Sequence, residues 1–566
     1  MSSQPATTHS KPSKAMRNAA TLLVVRDAPA GMEVLMVRRP ERDGDRYSGA
    51  SVFPGGVVEA DDRALYALCT GLDDSAASAR LGVREHGLAY FVAAIRECFE
   101  EAGLLFAYGQ GGGMVDLDAA ELSTVRSRLL AGETNFGEVC RQLKLRLAVD
   151  RLAYHSHWLT PLGLPKRFDT RFFIATAPAA QTVLHDGREA IQHFWLRPAD
   201  ALARADELKV GMVTQRTLEP LSGFASAGAC YEHALRLRDI EVIMPRRAIG
   251  ADGPRGVLPN EPAYAEIARM DPEGRGDVSY AIEHGSAVRL SQRVIRVTAC
   301  NGNVMTGPGT NSYLVGSAAK NEWAVIDPGP DVEAHVQAIV AAAPGPIRWI
   351  FVTHTHMDHS PAAARLKSLT GARVYGQRAP DQEWQDHAFQ PDHLLADGER
   401  ISVGEASTLR AVHTPGHASN HLCYLLEEEK TLFTGDHVMQ GSTVVITPPD
   451  GDMAAYLASL RALLQVDLQW LAPGHGHLLD RPHAVIEKTI AHRLAREAKV
   501  IAALRAMAPV EADGLLPHVY DDVPSRMHPM AKRSLTAHLI KLMHDDVAHE
   551  SGGLWQLRPD LAPNRR

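Results

Sequence analysis

Val352-Thr353-His354-Thr355-His356-Met357-Asp358-His359-Ser360 brings three histidines and a carboxylate into one short loop, directly after the apolar, β-like run 347–352 (IRWIFV). Such a loop makes poor core. Each of these side chains would need a hydrogen-bond partner if it were buried without a metal. One histidine at a strand end is ordinary packing, but this cluster predicts a metal site. Alternating histidines suit zinc, and the neighbouring carboxylate suits a second ion or a harder metal.

Three later stretches supply partners: HTPGH at 413–417, LFTGDH at 432–437 and LAPGHG at 471–476. Each ends an apolar run with a ligand-type residue beside glycine, where backbone can approach an ion closely. Residues 331–343 (DVEAHVQAIVAAA) have helical period, with Val332, Val336, Ile339 and Val340 on one face, so strand, helix, strand and histidine loop give an α/β layout. This resembles the metallo-β-lactamase fold, an αβ/βα sandwich, over roughly residues 288–479. The resemblance implies a first zinc on His354, His356 and His417, a second on Asp358, His359 and His475, and Asp436 bridging the two. It further implies a shared water presented as hydroxide, with Asp358 also handling a proton. Branches that open β-lactams generally lack the bridging aspartate, which disfavours antibiotic hydrolysis and points to phosphodiesters or glyoxalase II-like thioesters and small esters. His421 and His437 fall outside this ligand set, either supporting it, facing a phosphate, or packing.

Upstream, residues 21–39 (TLLVVRDAPAGMEVLMVRR) read as a β-hairpin, and residues 91–104 (FVAAIRECFEEAGL) as a helix stopped by Gly103. Glu97, Glu100 and Glu101 gather on one helix face, where like charges repel unless a hard cation sits among them. With Gly55-Gly56 ahead of it, the spelling R-E-C-F-E-E-A-G-L resembles the Nudix hydrolase box, the mark of an α/β/α sandwich. By that resemblance Glu97, Glu100 and Glu101 hold Mg²⁺ or Mn²⁺ against a small-molecule diphosphate, with Arg96 bracing them, and Arg96, Glu100 and Asp358 are the catalytic candidates. The box departs from its pattern at Asp62, where a glutamate is expected, and in the long gap to Arg96, a polar excursion inserted at about 63–90. Such an insertion resembles the branch of the peroxisomal coenzyme A diphosphatases. Lys166 and Arg167 are phosphate-contact candidates in the same branch, and Glu189 is a candidate further ligand or base.

Length and composition fit this reading. At 566 residues the chain exceeds one core, and its 45% hydrophobic and 22% charged content is that of a globular protein without a membrane span. A net charge of −8 makes it no general magnet for nucleic acid. The six scattered cysteines fit a reducing, cytoplasmic setting. The expected order is a flexible tail (1–18), a Nudix-like domain (19–237), a Pro- and Gly-rich linker (238–285), a metallo-β-lactamase domain (286–482) and a helical, winged-helix-like module (483–566) whose alternative role is packing in a homodimer. In that module Leu535, Leu539, Leu542 and Met543 make an amphipathic face. The combination of GTNSYLVG, GDHVM, HRLARE and AHLIKL resembles the branch of the mitochondrial single-strand-specific endoribonuclease. That makes RNA cleavage the leading expectation for the second half, with Lys532, Arg533 and Lys541 as phosphate contacts and a small ester as the alternative. A nucleotide-binding, regulatory Nudix half is the remaining possibility.

Overall fold

The computed structural model describes residues 16–41, 43, 48–115, 119–185, 187–317 and 322–558. Of the expected tail, residues 1–15 lie outside the described residues, and Arg17 and Asn18 already belong to a strand. The chain forms two compact units, Met1–Arg247 with Glu273–Arg275, and Ala248–Pro272 with Gly276–Arg566.

In the first unit the strands Arg17–Ala28 and Gly31–Arg38 form the expected hairpin, closing at the pair Ala28 and Gly31. Arg17–Ala28 also pairs in parallel with Phe168–Thr176, at the centre of an eight-stranded mixed sheet. The helix Gly87–Ala102 buries Phe91, Val92, Ile95, Cys98, Phe99 and Ala102, as its period predicts, and ends at Gly103 with φ 74°. The insertion is no polar excursion. It forms a 3-10 helix, Asp61–Leu68, and an α-helix, Asp74–Leu81, whose first turn is capped by Asp73 accepting from the Ala76 amide at 2.8 Å. Leu65, Ala77 and Leu81 join the core of Phe91 and Phe99. The two α-helices cross so closely that a Cβ on Gly87 would sit 2.4 Å from the Ser78 nitrogen. Small residues on one face of the insertion, rather than a long apolar run, provide this contact.

The second unit stacks a seven-stranded sheet (Ala287–Arg289 through His393–Leu394) against a five-stranded sheet (Arg400–Val403 through Trp470–Pro473). Tyr313, Phe351, Leu409, Tyr424 and Phe433 fill the space between them. The helices Glu333–Ala342 and Ala362–Thr370 cover one outer face, and Met453–Leu463 covers the other. This is an αβ/βα sandwich. The first of these helices is rotated from its expected face: it buries His335, Val336 and Ile339, while Val332 and Val340 are exposed. A hydrogen-bonding contact of 2.9 Å between His335 Nε2 and Ser312 Oγ sets that rotation, which apolar periodicity could not reveal. Within the stretch expected as linker, the strand Gly253–Val257 and the helix Tyr264–Met270 are formed.

A helix of 26 residues, Pro482–Met507, leads into the helices Ala512–Val519 and His528–His544 and a hairpin, Ala548–Ser551 with Leu554–Leu557, turning at Gly552-Gly553 where both φ are positive. Leu535, Leu539 and Leu542 are buried there, whereas Met543 lies at the helix edge, exposed. All six cysteines are free thiols. Among the described residues no helix is long and apolar enough to cross a membrane.

Candidate metal centre and carboxylate site

The strand Ile347–Phe351 delivers the histidine loop to one end of the sandwich, and Asp327 fastens its base. The Thr353 amide and hydroxyl donate to the two Asp327 carboxylate oxygens at 2.7 and 2.8 Å. Beyond this anchor His356 Nδ1 lies 3.0 Å from His354 Nε2 and 3.1 Å from His417 Nε2. Alongside, His359 Nε2 and His475 Nε2 are each 3.5 Å from Asp358 Oδ2. Asp436 stands between the two groups: its Oδ1 is 3.4 Å from His359 Nε2 and 3.2 Å from His475 Nε2, and its Oδ2 is 3.8 Å from His417 Nε2. All seven residues singled out around this loop are thus brought together, from four separate parts of the chain.

The far sides of the rings fix their orientation. His359 Nδ1 meets Asp327 Oδ2 at 2.8 Å, His417 Nδ1 meets the Val445 carbonyl at 2.8 Å, and His475 Nδ1 meets the Gly309 carbonyl at 3.2 Å. Each of these contacts asks the outer nitrogen to carry the proton, which turns a lone pair toward the centre. The inward Nε2 atoms of His359 and His475 and Oδ1 of Asp436 are buried with no hydrogen-bond partner. Buried polar atoms are rarely left so. Ring nitrogens and carboxylate oxygens gather in three overlapping groups, His354 with His356 and His417, His354 with His359 and Asp436, and Asp358 with His359 and His475, a donor set that fits divalent cations. Burial, and then the neighbouring histidines, hold His354 well below the ordinary imidazole value. His359 moves the other way: burial opposes its charged form, but Asp358, Asp327 and Asp436 outweigh that penalty.

The sequence offered little on the supporting residues. Asp327 ends an apolar run beside Gly329, the same signal that marked Asp436, yet its distance from the loop hid its role. His421 and His437 are fully buried beneath the centre, so they face no substrate. His421 stacks on His354 at 5.0 Å, and burial lowers the His437 pKa to about 3.

A cavity of about 620 Å³ opens over His356, Asp358, His417, Asp436 and His475. Its walls include Met305, Met357 and Trp384 from the sandwich and Met527 and Met530 from the C-terminal module. Of the three expected phosphate contacts only Arg533 lines the cavity. Lys532 pairs with Asp513 at 2.6 Å, and Lys541 with Glu497 and Asp545 at 3.0 and 2.6 Å.

In the first unit Arg96 organises the acidic helix. Its guanidinium donates to Asp62 at 2.8 and 3.1 Å, to Glu97 at 2.8 Å, to Glu100 at 3.2 Å and to the Val57 carbonyl at 2.8 Å. Glu101 accepts from the Gly55 amide at 3.0 Å. Gly56 lies against Glu97, where a Cβ would be 2.3 Å from its Oε1. Burial, against the pull of Arg96, raises Glu97 to about 7. Burial and the Glu97 charge hold Glu101 well above the carboxyl range. The Glu189 carboxylate lies near enough for its charge to push both groups upward. Arg167 instead donates to the Thr160 carbonyl at 3.2 Å, and Lys166 is exposed to solvent.

Comparison with known proteins finds the same succession of folds. The metallo-beta-lactamase superfamily model matches residues 305–475, the NUDT19 Nudix domain model residues 73–214, and the beta-lactamase associated winged helix domain model residues 512–555. The chain belongs to the metallo-beta-lactamase superfamily, with a Nudix domain ahead of that fold and a winged helix behind it. More particularly, it is similar to the beta-lactamase-like protein 2 homolog of Drosophila melanogaster, 32% identical over 273 residues, which are 45% of this chain and 90% of that protein. An atrochrysone carboxyl ACP thioesterase of Aspergillus fumigatus is 33% identical over 223 residues, 38% of this chain and 66% of the fungal protein. A Nudix hydrolase structure from Alicyclobacillus acidocaldarius is 26% identical, with a TM-score of 0.33, covering 38% of this chain and 96% of that one. The protein is a hydrolase built from two hydrolase domains.

Proposed function

We propose that the second unit hydrolyses acyl thioesters with a pair of zinc ions, and that the first is a Mg²⁺- or Mn²⁺-dependent diphosphatase for diphosphates of the coenzyme A kind. One observation carries the first statement: Asp436 faces both triads at the floor of a cavity walled by methionines and Trp384. That lining suits an acyl chain. His354, His356 and His417 would hold one ion, Asp358, His359 and His475 the other, and Asp436 both. Bound there, the ions supply Lewis-acid polarisation and an acidified water. The chain's own residues do the rest. The apolar walls would align the acyl group, and proton transfer falls to Asp358, which accepts from the Thr310 hydroxyl at 3.4 Å. The carrier-linked thioester in the name of the Aspergillus relative is of the same chemical class.

In the first unit Glu97, Glu100 and Glu101 would hold the cation, with Arg96 and Asp62 keeping the carboxylates apart. A diphosphate-bearing acyl thioester offers a bond to each unit, which gives the fusion a chemical rationale. Single-stranded RNA is the second reading for the second unit, supported by Arg533 at the cavity and by the winged helix, though RNA binding ordinarily draws on several phosphate contacts. The test is purified protein with acyl-coenzyme A, coenzyme A and unstructured RNA. The proposal expects free thiol and a diphosphate split. Asp436→Ala should remove only the first activity, and Glu100→Gln with Glu101→Gln only the second. Intact thioester beside cleaved RNA would establish the ribonuclease reading instead.

A further inference from the structure

We infer that Glu266, from the stretch ahead of the sandwich, is a positioning residue for the His475 side of the metal centre. It lies on the helix Tyr264–Met270, outside the residues matched to the superfamily model. Its side chain is fully buried, and its carboxylate accepts from Arg296 Nη1 at 2.6 Å, from Arg296 Nη2 at 3.0 Å and from the Leu478 amide at 2.9 Å. Arg296, equally buried, also reaches the Gly476 carbonyl at 3.4 Å. The segment that follows His475 is therefore held by charge-assisted bonds that end on one carboxylate.

Neighbouring contacts close the same clamp. Gln440 accepts from the His477 amide at 2.9 Å while donating to the Pro262 carbonyl at 2.7 Å, and His477 Nε2 meets the Tyr280 carbonyl at 2.9 Å. Gly476, at φ 87°, allows the close pass of Gln440, since a Cβ there would be 2.7 Å from its Oε1. No comparable bond from this stretch reaches His354, His356 or His417 among those described. Residues 262–280 thus act selectively on one of the two triads. Removing the Glu266 charge should loosen the segment that follows His475 and leave the other triad intact, and supporting bonds of this kind change metal affinity by about ten- to a hundredfold.

This inference rests on the metal-binding reading of the site, and its test separates the two. Full-length protein stripped of metal is titrated with Co²⁺ and followed by visible absorption. Wild type should bind two equivalents. In Glu266→Gln one equivalent should weaken about tenfold or more, with the other unchanged and the circular dichroism preserved. Two unchanged equivalents, or both weakened together, would overturn the role of Glu266. A wild type that takes up no Co²⁺ would overturn the metal reading itself. If Glu266→Gln does not fold, Gln440→Ala decides, because Gln440 is only half-buried and its loss should weaken the same single equivalent. No such weakening there would overturn the inference.

Discussion

Arg96 binds Asp62 across a separation of 34 residues, at 2.8 Å through Nε and at 3.1 Å through Nη2. Asp62 also accepts from the Glu59 amide at 2.7 Å, so one short carboxylate ties the start of the insertion to the acidic helix. A glutamate was expected at this position. Aspartate serves because the insertion's 3-10 helix brings it close enough for the shorter side chain. Asp62→Ala should therefore destabilise the first unit by roughly 3–5 kcal/mol, since it strips a partner from a buried guanidinium. Calorimetry of the intact protein, where this unit should give its own transition, checks it, and an unmoved transition would contradict the role.

Glu97 predicts a pH dependence of the metal-free protein. The ordinary carboxyl value is 4.5, and burial raises Glu97 to about 7 in the folded state. Between those values the unfolded chain releases a proton that the folded chain keeps, so stability falls as pH rises. The contribution is complete below 4.5 and lost through about 7. Chemical unfolding at pH 5 and pH 7.5 in chelator should show the first unit weaker at the higher pH. Mg²⁺ should reverse that order, because a bound cation replaces the proton.

Gly474 gives a test of close approach. A Cβ at this position would lie 2.7 Å from Asp436 Oδ1 and 2.8 Å from His359 Cε1. Gly474→Ala should lower the activity of the second unit by about a hundredfold or more while the fold survives, because ligands displaced by a fraction of an ångström lose their geometry. Activity near wild type would mean that the loop tolerates the shift.

Arg533 and Lys532 are adjacent in sequence but differ in surroundings. Arg533 lines the cavity, and Lys532 is engaged by Asp513. With an anionic thioester, Arg533→Ala should raise KM about tenfold with kcat little changed, and Lys532→Ala should leave both alone. Equal effects of the two would indicate a diffuse cationic surface, as RNA binding requires, instead of a single anchor.

Chelation supplies a fifth test. Removing metal should lower the melting temperature of the second unit, because His359, His475 and Asp436 would keep buried polar atoms without partners. Restoring Zn²⁺ should return it.

By itself the sequence singled out the candidate metal-binding residues and determined the order of the folds and the hairpin and helices of the first unit. Ligands concentrated in one loop or one helical turn are legible because local spacing alone brings them together, as with His354, His356 and His359 or Glu97, Glu100 and Glu101. Only tertiary structure decided the rest. Asp327 acts from another strand, and Glu266 acts from a stretch whose Pro and Gly content reads as linker. Val332 and Val340 face solvent because His335 finds Ser312. Lys532 and Lys541 are engaged by carboxylates and Arg533 lines the cavity, a distinction set by neighbours distant in the chain. Charge and polarity are written in the sequence, but whether a polar group is satisfied depends on partners that only folding supplies.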